Sequence, residues 1–336
     1  MAMTQRKLII AGAGAAVIAI GGWVVASHIA TNKAEETLKR VLSDNGLAQS
    51  VQWRSLSASP LGHVTLKDVS IAAPGAGITI ESVEIGDWTD TADRKRGDVQ
   101  LTKIATTDGF SPLGDNVYAR AGGIVSVPPM DGKLRWDIRS DDDTGKLSVS
   151  IAQPDGVDAA MDIELARVSP TVRALELLTD NARTASSAGN ARGDAMASFN
   201  VLGGVFGLLK PLSQVEITSG KMHIVDRGYV KRSIALYKRY NVPVIAGEGD
   251  AEKQRNKAFE AAMERHAESC LKDRSFTAFA DRKEACGSLV DFLQGDEREI
   301  TLTLAPKRGV PLMRVFDGGV NDRNGNWAQL APVLKN

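Results

Sequence analysis

From Leu8 to Ala26 the chain reads LIIAGAGAAVIAIGGWVVA, without a charged or strongly polar side chain. A run of this kind constrains the chain more than anything that follows it. As a helix it spans roughly 28 Å, close to the ~30 Å thickness of bilayer hydrocarbon. Trp23 stands near its far end, where an interfacial aromatic belongs. The soluble rival, the first turn of a dinucleotide-binding fold, fails at its third glycine. Gly12 and Gly14 are followed by Val17, whose branched side chain obstructs the close helix–strand approach that fold needs. Arg6 and Lys7 precede the run with no acid nearby, whereas Lys33 is followed by Glu35 and Glu36. That asymmetry predicts a cytoplasmic tail (1–7), a single-pass anchor (8–29) and export of all that follows. A cleaved signal peptide, with a site near Val24-Val25-Ala26, is the alternative. The length of the run, beyond a usual 7–15-residue apolar core, favours the anchor.

Beyond the span, TNKAEETLKRVL predicts a connecting helix (30–48), capped by Asn32 and stopped at Asn45-Gly46. From Ser50 the period changes to two. VQWRSLSA, HVTLKDVSI, ITIESVEIGDW, DVQLTKIAT, GGIVSV, KLRWDIRS, KLSVSIAQ and VDAAMDIELARV follow one another, parted by turn clusters at Ser59 to Gly62, Pro74-Gly75, Gly109, Pro128 to Gly132, Asp141 to Gly145 and Pro154 to Gly156. Short alternating runs at this spacing predict an antiparallel sheet in meander order over 49–168. Residues 169–213 mix helical spacing with a small, polar middle and read as a helical, mobile segment. QVEITSGKMHIVD predicts a β-hairpin (214–228) turning at Ser219-Gly220. Tyr229 to Tyr240, Ala251 to Leu271 and Phe276 to Leu293, rich in Ala, Glu, Lys and Arg, predict a helical insertion (229–297). EITLTLAP then gives a closing strand in a C-terminal part (298–336).

The 336 residues carry 41 Lys plus Arg against 41 Asp plus Glu. That balance argues against nucleic acid as the main partner, because phosphate binding needs a basic excess. The search for chemistry yields no catalytic residue, cofactor site or metal site. His28, His63, His223 and His266 never fall at metal-ligand spacing. Neither a Gly-x-Ser-x-Gly elbow nor a phosphate-binding loop occurs. Asp141 to Gly145 resembles a calcium loop but lacks its closing Glu. Arg94-Lys95-Arg96 reads as a solvated loop.

Cys270 and Cys286 are 16 residues apart. In one helix they would lie ~24 Å apart, far beyond the ~5.5 Å Cα separation of a disulfide. In a helical hairpin reversing near Ser275 to Asp281 they meet. Outside the cytoplasm such a pair oxidises, so a structural disulfide is expected, with two buried thiols as the alternative.

The order of features resembles a known type. A basic N-terminus, one span and a connecting helix lead into a strand with Val51-x-Trp53, a Ser59-Pro60-Leu61-Gly62 turn and HVTLKDVSI. This is similar to the start of the AsmA-like envelope proteins. KMHIVDRGYVKRSIA, a helical insertion and ITLTLAPKRGVPLMRV resemble the closing part of their smaller, YdgA-like relatives. The resemblance implies an α+β protein: a transmembrane helix, then a curved, groove-like, mainly antiparallel sheet with a helical insertion before the last strands. It implies a protein of the cell inner membrane whose bulk is periplasmic, non-enzymatic, and concerned with lipid and outer-membrane upkeep. Membrane lipid, a phospholipid above all, is then the expected ligand. Val64, Leu66, Ile78, Ile80, Val83 and Ile85 are the candidates for the groove face. The alternative is a scaffold whose insertion (229–293) docks another envelope protein.

Overall fold

The computed structural model describes residues 35, 38–39, 42–43, 48–59, 63–72, 77–107, 128–173, 213–317 and 326–336. The expected tail and anchor, the Asn32 cap and Asn45-Gly46 stop of the connecting helix, the turns at Pro60 to Gly62, Pro74-Gly75 and Gly109, the run GGIVSV, and nearly all of the 169–213 segment lie outside the described residues. Among the described residues no helix is long and apolar enough to cross a membrane.

The chain is α+β, built on one open, curved antiparallel sheet. Its strands are β1 (Val51–Gln52), β2 (Ser55–Ala58), β3 (Val64–Ile71), β4 (Ile78–Asp90), β5 (Arg94–Thr106), β6 (Met130–Arg139), β7 (Thr144–Ala152), β8 (Val157–Ala166), β9 (Glu216–Asp226), β10 (Glu299–Leu304), β11 (Val310–Pro311) and β12 (Pro332–Lys335). Each main strand pairs with its predecessor, in the order β1-β3-β4-β5-β6-β7-β8-β9-β10-β12, with β2 on β3 and β11 on β9. Tight turns such as Pro154 to Gly156 allow this meander, and the strict apolar/polar alternation gives the sheet two unlike faces.

The alternation stays in register over a long distance. Val64, Ile85, Val99, Leu134, Val149, Met161, Met222, Leu302 and Leu334 stand opposite one another in turn, one apolar rank across nine strands. Where a strand slips phase, a local irregularity restores it. Asp68 and Lys103 adopt left-handed φ values of 49° and 52°, on either side of the exposed Glu81. Beyond them the buried residues switch parity, to Val69, Ile71, Ile78, Ile80 and Ile104, and all join the same cluster as Val64, Leu66, Val83 and Ile85.

Two sequence expectations are corrected here. Glu216 to Asp226 is one continuous strand, not a hairpin. Ser219-Gly220 marks a bulge: Ser219 pairs with Glu164 and Ile217 with Leu165, leaving Thr218 as the extra residue, which returns Ile217 to the apolar face. Gly220 gives Leu304 room, since a Cβ there would come 3.0 Å from Leu304 Cδ1 and would need that side chain to shift. Arg94-Lys95-Arg96 is likewise not a loop but the start of β5, with the buried Lys95 paired to Asp90.

The insertion consists of α1 (Tyr229–Asn241), α2 (Ala251–Lys272), a 3₁₀ turn (Arg274–Ala278) and α3 (Arg282–Gln294). Carboxylates cap these starts: Asp226 accepts from the Val230 amide, Asp250 from Lys253 and Asp281 from Glu284. The cap at Asp281 divides what the sequence presents as one helix from Phe276 onward. Cys270 and Cys286 form a disulfide with their Cα atoms 5.9 Å apart, fastening α2 to α3. α4 (Leu312–Asp317) and α5 (Asn326–Gln329) precede the edge strand β12.

Candidate functional site

The two faces of the sheet differ in chemistry. On one face, charged positions of β4 to β9 form cross-strand pairs. Arg94 holds Asp137 through two hydrogen bonds, at 2.8 and 2.7 Å. Lys146 pairs with Glu164, which also accepts from Ser219. Lys133 reaches Asp98, and Lys103 pairs with Glu81. The hydrogen bond from Arg94 holds the Asp137 carboxyl below its ordinary range. Lys146 followed by Ser219 does the same for Glu164, and Lys103 for Glu81. His223 shares a 3.0 Å hydrogen bond with Thr301 on this face. A shallow depression lined by Asp137, Arg139, Thr144 and Lys146 lies among these pairs. Cations and carboxylates here are engaged with one another, which suits a solvated surface. Among the described residues no three His, Cys, Asp or Glu side chains assemble in a way that could hold a metal.

The other face is apolar and is covered in three places. Leu38 and Leu42 of the connecting helix join Val51 and the inward residues of β3 to β6. Leu312 and Val315 of α4, with Trp327 and Leu330, pack on Ile163, Leu165, Ile217 and Leu304. Val230 and Ile234 of α1, with Leu289 and Phe292 of α3, pack on Ile224, Ile300 and Leu334. Between these covers runs a strip in the middle of the sheet. Val149 and Ile151 on β7, Met161 on β8, Met222 on β9 and Leu302 on β10 are half-buried, and among the described residues they belong to none of the three clusters.

The six residues named from the sequence do come together, in one cluster, but as interior. Val64, Leu66, Ile78, Ile80, Val83 and Ile85 are each 0 to 8% exposed. Val83 and Val64, at 0 and 1%, are among the most deeply buried side chains described. The half-open part of the same face begins three strands beyond β4, at β7. Its signal, the alternation in KLSVSIAQ and VDAAMDIELARV, is as plain as that of β3 and β4. Only the distribution of the covering helices separates the two regions.

No protein-family model matches this chain, and no curated protein is significantly similar to it.

Proposed function

We propose that this chain is a non-enzymatic envelope protein, anchored in the inner membrane by residues 8–29, whose periplasmic sheet holds the acyl part of a membrane lipid on its apolar face. The observation that carries this reading is the half-buried strip of Val149, Ile151, Met161, Met222 and Leu302 between three covered zones of one apolar face. The resemblance to AsmA-like proteins of the YdgA-like type supports it from the sequence side. An acyl chain lying across β7 to β10 gains about 0.8 kcal/mol for each CH₂ removed from water. In this reading the ligand surface is the strip; Val64, Leu66, Ile78, Ile80, Val83 and Ile85 form the floor that keeps the sheet rigid beside it.

Native mass spectrometry of the full chain in mild detergent tests the reading. A bound phospholipid is expected on the wild type, with strong loss in a Val149→Asp/Met161→Asp variant that keeps its β-sheet signal. Equal lipid occupancy in the two would end this assignment. The scaffold reading draws on the long exposed flank of α2. Crosslinking from 229–293 that captures one partner, and loses it when the insertion is deleted, would favour that reading instead.

A further inference from the structure

We propose that the half-buried strip takes a single extended acyl chain of about twelve carbons, and so holds single-chain lipids such as lysophospholipids in preference to two-chain phospholipids. The inference rests on the acyl-binding reading above and adds to it the length and the number of chains. Strand register sets the length. Val149, Met161, Met222 and Leu302 stand opposite one another on β7, β8, β9 and β10. Their rank is closed at both ends. Leu134, opposite Val149 on β6, packs with the cluster that the connecting helix joins. Leu334, opposite Leu302 on β12, packs with the cluster of α1 and α3. Three strand spacings of about 4.8 Å place the outer two residues about 14 Å apart. With carbon–carbon bonds of about 1.5 Å, an extended chain advances about 1.25 Å per carbon, so about a dozen carbons cover that distance.

The neighbouring ranks set the width. On one side, Ile163 of β8 and Leu304 of β10 pack with α4, Trp327 and Leu330. On the other, Ile224 of β9 and Ile300 of β10 pack with α1 and α3. Successive ranks on one face are two residues, about 7 Å, apart along a strand, so on β10 the open width is one rank. Only at β7, where Ile151 also lies outside the three clusters, is the strip wider among the described residues. One polymethylene chain, whose carbons approach others to about 4 Å, fits that width, and two side by side do not. Met161 and Met222, unbranched and adaptable, suit contact with such a chain. Every residue of these ranks on β7 to β10 is apolar or glycine, so the chain is recognised and the headgroup is not. The second chain of a two-chain lipid finds no cover, and each methylene it leaves in water weakens binding about fourfold.

The test is native mass spectrometry of the full chain in mild detergent, with saturated lysophosphatidylcholines from octanoyl to stearoyl and with dilauroyl phosphatidylcholine. Relative to the amount of each lipid in the micelles, occupancy is expected to stay level up to the lauroyl chain. Beyond it, occupancy falls about fourfold for each further methylene left outside the strip. The dilauroyl lipid is held about tenfold less than its single-chain counterpart, and lauroyl lysophosphatidylglycerol is held equally to the lysophosphatidylcholine. Leu302→Trp, at the β10 end, lowers the length limit by about four carbons, one strand spacing. An intact Cys270–Cys286 bond and an unchanged melt establish that this variant is folded, and the wild-type series decides the matter if it is not. Occupancy that holds or climbs through the stearoyl chain, a two-chain lipid held as well as the single-chain one, or a limit that folded Leu302→Trp leaves in place each overturns the inference while acyl binding itself stands. No bound lipid of any length overturns the acyl-binding reading and the inference with it.

Discussion

At Gly97 the fold turns on a missing side chain. Gly97 stands opposite Trp136 across the β5–β6 ladder, and a Cβ there would come 2.5 Å from the indole Cζ2. Trp136 in turn meets Trp88 edge-on, with centroids 5.8 Å apart. Gly97→Ala must therefore displace a buried ring, and it should lower stability by about 1–3 kcal/mol in urea unfolding, with altered tryptophan fluorescence; a wild-type midpoint would show that the ring has room to move. Charge on the opposite face sets a second expectation. Asp137, Glu81 and Glu164 are held below their ordinary values by cation partners. Their contribution is complete above the usual carboxylate range and disappears as pH falls through the depressed values. Lys103 and Lys146 are held above theirs by Glu81 and Glu164, so their contribution is lost only as pH rises past the ordinary lysine range. Thermal stability should be level between about pH 5 and 9 and should fall below about pH 4. Asp137→Asn should shallow that acid limb, and an unchanged limb would reject the role given to the Arg94 pair. Alternation put Val64, Leu66, Val83 and Ile85 correctly on one face. It says nothing of what crosses that face, which is why interior residues were chosen from the sequence as a ligand surface.

Among the elements, α1 and α3 of the insertion pack on the sheet, and α2 is fastened to α3 by a covalent staple. α2 runs 22 residues with only Met263 buried, so little apolar contact holds it. The Cys270–Cys286 bond closes a loop of a size for which chain-entropy models give about 3 kcal/mol. Reduction, or Cys270→Ser with Cys286→Ser, should raise amide exchange across α2 while the amides of β5 to β9 stay protected; sheet and helix opening together would contradict this separation. The disulfide was legible because a helical reversal between the cysteines was legible. The hairpin at Ser219-Gly220 was misread because a bulge and a turn share their residues. Ser and Gly serve either one, and only the partner strands β8 and β10 decide. Lys95 misled for a related reason: a basic triplet looks like a solvated loop until its middle member is placed inward beside Asp90.

For the whole molecule, the meander itself was the most legible feature, since nearly every strand and turn carries a local signal. The closing edge was not. PVLK is too short to stand out, yet β12 finishes the sheet, with Pro332 and the Lys335–Glu284 pair at the margin, features that discourage edge-to-edge association. One face is charged and paired, and the other is apolar, covered at both ends and half-open between. The proposed acyl-binding role rests on that arrangement. The most direct measurement is photocrosslinking of the full chain to a phospholipid bearing a diazirine in its acyl chain, followed by peptide mapping. Adducts on 147–163 and 220–224, in addition to any on 8–29, are the predicted result. Adducts confined to 8–29, with the sheet unlabelled, would contradict the account.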